Sequence, residues 1–239
     1  MLNVLIPTDF SDNANKAMRY AVELFGEDAK YVLVNGYEVP YSGASMLISI
    51  ADILEKDSIQ LLNEAKNALI AEMPKLKDNI SIMAVAGAPS EALKKLTSKG
   101  EFDLVVMGTK GASGLKEVLI GSVASNVLSD VHCPVLAIPA DAEMKVPSKI
   151  LFAADDQILI EGKLPAALGE LSNRFDAEVL ILNVVPMGEL RHVGNAEGQK
   201  HASKSSFEGV KHSIHFVESE KVNEGIEAFI KTTQVEMLA

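Results

Sequence analysis

The chain has 239 residues, 48% of them hydrophobic, with a net charge of −11 and a single cysteine, Cys133. This length allows one or two domains with a substantial core, and the acidic balance argues against general affinity for nucleic acid or acidic membranes, although a local nest of N–H groups can hold a nucleotide against it. One cysteine excludes an internal disulfide framework. With no signal peptide and no apolar run of about 18 residues, the expectation is a cytoplasmic chain without a membrane span.

Leu2 to Pro7 reads as a first buried strand. Thr8-Asp9-Phe10-Ser11 follows, and Ser11 or Asp12 can cap a helix whose apolar positions Ala14, Ala17, Met18, Ala21, Val22 and Phe25 recur at helical spacing as far as Gly26. Tyr31 to Asn35 is a second strand, ending near Val39-Pro40. A long helix is expected from about Met46 to Met73, with Ile53, Leu61, Leu62, Ala65, Leu69 and Ile70 on its apolar side and Pro74 as its stop. Ile80 to Val85 is a third strand, and Gly87-Ala88-Pro89-Ser90-Glu91 opens a short helix. Leu104-Val105-Val106-Met107 is a fourth strand, a helix runs to about Asp130, and Val135 to Ile138 is a fifth strand. Such alternation predicts an α/β domain with a parallel sheet and helices on both faces.

After the fourth strand come Gly108, two residues, Gly111, nine residues, and Gly121-Ser122. Glycine at a strand end lets the backbone turn or lets a ligand approach closely. Ser122 stands where the N-cap of the following helix belongs. A strand end, a glycine loop and a helix N-terminus together make an anion site. The loop lacks the Gly-Lys-[Ser/Thr] ending of a Walker A motif, and it does not follow the first strand as a dinucleotide turn would. In parallel sheets ligands bind where the strand order reverses. If the first and fourth strands are neighbours, Asp9 faces the Gly108 loop.

Asp141 to Ser148 reads as a linker, and the segment after it repeats the first. Ile150 to Asp155 matches Val4 to Asp9, Val179 to Asn183 matches Val32 to Asn35, Ile214 to Val217 matches the third strand, and Val222 to Ile230 matches the helix after that strand. Val235-Glu236-Met237-Leu238 matches Phe102-Asp103-Leu104-Val105, and no glycine loop follows. Pro186 to Ser213 stands in place of the long helix.

Val4 to Ser11, Gly87-Ala88-Pro89, the glycine stretch, Ser122-Val123-Ala124 and Cys133-Pro134-Val135-Leu136 together resemble the universal stress protein family. The resemblance covers nearly all of the first 140 residues and implies a doubly wound, five-stranded parallel sheet of order 3-2-1-4-5. The expected organisation is a nucleotide-binding domain at 1–140 and, at 147–239, a degenerate, incomplete second copy without the glycine loop. The resemblance also implies binding of ATP or a related adenine nucleotide, with Mg²⁺ as a bridge between phosphates. Asp9 would contact the adenine end beside Pro7 and Thr8, and Val39 would offer backbone contacts to the base. Gly108 would admit the ribose, and Gly111, Gly121, Ser122 and Val123 would bind phosphates. The family also implies edge-strand pairing, in a homodimer or an intramolecular pseudo-dimer.

The leading function is therefore an ATP-binding regulatory protein of the stress response. A nucleotide-independent scaffold and a slow ATPase are the alternatives. Glu117 is the nearest carboxylate to the loop, and neither a Walker lysine nor an arginine clamp is present, so turnover is expected to be slow at most. Asp9 and Ser122 each have a simpler role as helix caps, and Lys110 as a solvated lysine. His192, His201, His212 and His215 fall in the second copy. His212 and His215 would point to opposite faces of a strand, which argues against a metal site. His132 and Cys133, adjacent in sequence, point apart and make no nucleophilic dyad.

Overall fold

The computed structural model describes residues 1–39, 44–111, 121–188, 207 and 209–239, without the side chains of residues 44–49. The chain divides into two units, Met1–Lys145 and Val146–Ala239.

In the first unit β1 (Leu2–Pro7), α1 (Asp12–Phe25), β2 (Ala29–Tyr37), α2 (Ala44–Glu72), β3 (Ile80–Ala86), α3 (Pro89–Thr97), β4 (Leu104–Gly108), α4 (Ser122–Asp130) and β5 (Val135–Ile138) follow one another. The strands form one parallel sheet of order β3-β2-β1-β4-β5, as expected. Val4, Leu5 and Ile6 of β1 and Val105 and Val106 of β4 are fully buried. Central strands covered on both faces are continuously apolar for this reason. Leu5, Val105 and Met107 pack with Leu93 of α3 and with Ala124 and Val127 of α4. Val4, Ile6 and Val106 alternate with them and so point to the other face. There α1 buries Ala14, Ala17, Met18, Ala21, Val22 and Phe25. The Ser11 hydroxyl accepts from the Ala14 N–H at 3.2 Å and starts α1, and Gly26, at φ 53°, ends it.

The face of α2 differs from the expected one. Leu62 and Leu69 are buried, but Ile53 is 54% exposed and Leu61 41%. The buried line runs through Ser58, Leu62 and Leu69, and Leu61 stands one residue, about 100°, off it. After β5 the chain stays on this unit. The Lys16 ammonium donates to the carbonyls of Ala140 (2.7 Å) and Ala142, and the Tyr20 hydroxyl to that of Lys145 (2.6 Å). Residues expected to be linker thus belong in part to the first unit.

The second unit contains β6 (Lys149–Ala153), α5 (Asp156–Glu161), α6 (Ala166–Phe175), β7 (Glu178–Val185), β8 (His212–Glu218), α7 (Val222–Thr232) and β9 (Met237–Leu238). Its parallel order, β8-β7-β6-β9, is that of β3-β2-β1-β4. Where the first unit has the single helix α1, this one has two, because Gly162 takes a left-handed conformation and Pro165 precedes α6. One local device recurs. The Asp103 carboxylate, just before β4, accepts from the Asn3 N–H at 2.7 Å, and the Glu236 carboxylate, just before β9, accepts from the N–H groups of Ser148 (2.6 Å) and Lys149 (3.0 Å). His212 packs edge-on against Phe207, and His215 packs against Phe229 of α7. His192 and His201 lie outside the described residues. No helix among the described residues is long and apolar enough to cross a membrane.

Candidate functional site

The strand order reverses between β1 and β4, and a crevice opens at the carboxyl ends of these strands. Pro7, Thr8, Asp9, Gly108, Gly111, Gly121, Ser122 and Val123 all line it. Val39, expected beside them, is not among the lining residues. Asn35, Gly36, Pro89, Thr109 and Lys110 line it without having been singled out as ligands.

On the β1 side the backbone is set by local hydrogen bonds. The Thr8 N–H donates to the Val34 carbonyl at 2.9 Å. The Thr8 hydroxyl accepts from the Phe10 N–H at 3.0 Å, and Asp9 Oδ1 from the Ser11 N–H at 3.1 Å. Between these two turns Phe10 is forced to φ 64°, which is uncommon for a bulky side chain. Ser11 caps α1, so Asp9 does not serve as its N-cap. Its Oδ2 lies beside Gly111, 2.8 Å from where a Cβ would stand. The expected meeting of Asp9 with the glycine loop across the switch point is therefore present. The aligned carboxylate of the second unit, Asp155, acts differently. It is the N-cap of α5, accepting from the Ile158 N–H at 2.9 Å.

Asn35, at the carboxyl end of β2, braces the same corner. Its Nδ2 donates to the Thr8 carbonyl at 2.7 Å, and its Oδ1 accepts from the Ser58 hydroxyl of α2 at 2.8 Å. Asn183 occupies the matching place in the second unit and donates to the Ala154 carbonyl at 3.0 Å. One asparagine ends each of two matched apolar strands, and that recurrence was the available signal for its role. Gly36 is explained by packing, since a Cβ there would stand 3.0 Å from Pro89 Cα.

On the β4 side the organiser is Asn13, in the first turn of α1. It is buried, donates from Nδ2 to the Ile138 carbonyl at 3.1 Å, and accepts at Oδ1 from the Lys110 N–H at 2.8 Å. It thereby joins α1, the glycine loop and the end of β5. A Cβ on Gly108 would lie 2.7 Å from Asn13 Oδ1 and 3.0 Å from its carbonyl oxygen. Packing within the protein therefore requires this glycine, whether or not a ribose lies against it.

Helix α4 closes the crevice. Its N-cap is Gly121, not Ser122, which is the first helical residue, and no side chain caps this end. The Gly121 N–H donates to the Thr109 carbonyl at 2.7 Å, so the helix start hangs from the residue that follows β4. Val123, in the first turn, is 42% exposed. An uncapped helix N-terminus presents N–H groups and the positive end of the helix dipole, which suits an anion. Among the described residues that line the crevice, Asp9 is the one carboxylate and Lys110 the one cation. Glu117 lies outside the described residues. Cys133 is not among the residues that line the crevice; burial first, and then the Asp103 carboxylate, pushes its thiol pKa up.

Comparison with known proteins agrees with this architecture. A universal stress protein of Methanocaldococcus jannaschii, MJ0531, is 32% identical over 142 residues, covering 56% of this chain and 80% of its own. A universal stress protein of Mycobacterium tuberculosis, Rv1636, is 30% identical over 141 residues, covering 56% and 94%. The solved structure of a universal stress protein from Archaeoglobus fulgidus is similar to 99% of this chain and 85% of its own, with a TM-score of 0.68 at 19% identity, a likeness of fold. A solved universal stress protein in complex with cAMP is 28% identical, covering 57% and 96%, with a TM-score of 0.44. The model of the universal stress protein family matches residues 1–139, the whole of the five-stranded sheet and its crevice, and the chain belongs to that family.

Proposed function

We propose that the first unit binds an adenine nucleotide, ATP, in the crevice between β1 and β4, and that this binding gives the chain a regulatory role in the stress response. The observation that carries this reading is the approach of Asp9 to Gly111 across the switch point, with the uncapped N-terminus of α4 on the same crevice. Asp9, with Pro7 and Thr8, would hold the nucleoside end, and Val39 would contact the base through its backbone. Gly111, Gly121, Ser122 and Val123 would hold phosphates through N–H groups, and Mg²⁺ would bridge those phosphates. The second unit, in this reading, is a degenerate copy of the first. Edge-strand pairing, within the chain or between two copies, belongs to the same reading.

The test is equilibrium binding of ATP, ADP and cAMP to the parent chain and to Gly111→Ala. A Cβ at Gly111 meets only the far end of the Asp9 side chain, so the variant should fold like the parent. It displaces the Asp9 carboxylate and fills the approach to the loop, so ATP affinity should fall at least about tenfold, the equivalent of about 1.4 kcal/mol. A parent chain that binds none of these nucleotides would establish the scaffold alternative instead. Single-turnover assays separate binding from hydrolysis. Fast, metal-dependent phosphate release would replace the regulatory reading with an ATPase.

A further inference from the structure

The crevice contains one polar group that the fold does not use. The hydroxyl oxygen of Thr109 is buried and has no hydrogen-bond partner among the described residues, and the residue, only 5% exposed, lines the crevice. Leaving such a group unmet costs free energy, and native structures rarely tolerate it without a use. The backbone of Thr109, in contrast, is held on both sides. Its N–H donates to the Ile138 carbonyl at 3.1 Å, and its carbonyl accepts from the Gly121 N–H at 2.7 Å. Neither bond involves the side chain. Valine has the same branched shape and would fill the same space with no polar atom to satisfy. Packing alone therefore favours valine at a position where the chain has threonine.

We propose that the Thr109 hydroxyl is a ligand-recognition group, held apart from water in the free crevice and engaged by an oxygen of the bound nucleotide. This rests on the nucleotide reading above and deepens it. Thr109 stands between Gly108, at the end of β4, and the Lys110-Gly111 segment that faces Asp9, and α4 begins from its carbonyl. A ligand oxygen at the β4 end meets this residue and the helix N-terminus together. A step of about 120° about χ1 carries the hydroxyl into the place of the methyl, or into that of the hydrogen, so a change of rotamer re-aims the hydroxyl toward a ligand. The ligand oxygen is a ribose hydroxyl or a phosphate oxygen, and comparing adenosine with ATP distinguishes the two.

The experiment uses the full chain with Thr109→Val and Thr109→Ser. Unfolding is followed by tyrosine, because the chain has no tryptophan and its four tyrosines, at positions 20, 31, 37 and 41, all belong to the first unit. Without nucleotide, the valine variant should melt about 2–4 °C above the parent, as expected when an unmet hydroxyl is removed from a domain of this size. It should bind ATP about 3–10-fold more weakly, the contribution of one hydrogen bond. The serine variant, which keeps the hydroxyl, should bind within about twofold of the parent. A loss with both adenosine and ATP assigns the contact to the ribose, and a loss with ATP alone assigns it to a phosphate. A valine variant that binds ATP as tightly as the parent overturns this inference alone. One that melts below the parent also overturns it, because the hydroxyl then already has a partner. A parent chain that binds no adenine nucleotide overturns the nucleotide reading and this inference with it.

Discussion

Gly108→Ala tests whether Asn13 and Gly108 constrain one another. The added Cβ would stand 2.7 Å from Asn13 Oδ1, 2.8 Å from its Cγ and 3.0 Å from its carbonyl oxygen. The carboxamide must move by about half an ångström or more to reach ordinary contact distance. Moving it disrupts the bond from Lys110 N–H at 2.8 Å and the buried bond to the Ile138 carbonyl at 3.1 Å. Overpacking of this kind costs about 1–3 kcal/mol and each weakened bond about 1 kcal/mol. The reduced freedom of the unfolded chain returns about 0.4–1 kcal/mol, because Gly108 lies in β4 without a left-handed backbone. The net is a loss of about 2–4.5 kcal/mol, or about 6–14 °C in the tyrosine-monitored melt. In an Asn13→Ala background the contact with the carboxamide is gone and only the backbone oxygen remains, so the same substitution should cost less than half as much. A double-mutant cycle with urea and thermal unfolding measures the difference. Gly108→Ala within about 0.5 kcal/mol of the parent, or an equal cost in both backgrounds, would refute the coupling.

Three further perturbations follow from the geometry. Ser58→Ala removes the donor to Asn35 Oδ1 and should cost about 1–2 kcal/mol, a fall of about 3–6 °C in the melt; an unchanged melting midpoint would mean that water replaces the serine. The Arg19 guanidinium lies on both oxygens of Glu72, and its hydrogen bonds hold the Glu72 carboxyl below the ordinary carboxylate range. Because the folded-state pKa is the lower one, this stabilisation is complete above the unfolded pKa and is lost as pH falls through the folded pKa. The melting difference between the parent and Glu72→Gln should thus be small at neutral pH, as for an exposed pair, and vanish in acid; a difference that grows in acid would reverse the assigned sign. The Cys133 thiol, raised by burial and by Asp103, should react with a disulfide reagent at pH 8 more slowly than a free cysteine peptide does; a faster reaction would place the thiol in a different environment.

The sheet was legible because β1 and β4 are buried on both faces and must be apolar throughout, and because Gly26 and Pro74 mark helix ends by their backbone requirements alone. The backbone elements of the crevice were legible for a similar reason: glycine spacing between a strand and a helix is local information. Asn13 and Thr109 were not legible. The Asn13 side chain meets partners 97 and 125 positions away, and nothing near it in sequence distinguishes it from a solvated residue of a first helical turn. The start of α4 was misplaced by one residue because a serine after a glycine fits either cap position. The face of α2 was misread because apolar residues lie all around a long helix. Its buried line includes Ser58, whose burial depends on Asn35 of another element.

The tie between Asn13 and Gly108 bears on how such a chain could change over generations. Gly108 is required by a side chain of its own fold, so it would survive selection whether or not the crevice held a ligand. At Gly111 and Gly121 the demand is weaker. Neither has a left-handed backbone, a side chain at Gly111 would meet only the carboxylate end of Asp9, and one at Gly121 would stand 3.3 Å from the Thr109 carbonyl. In a lineage released from ligand binding these two would drift first, and Gly108 would change only together with position 13. The three glycines of one motif are therefore held by demands of different strength, with Gly108 the one most firmly fixed by packing.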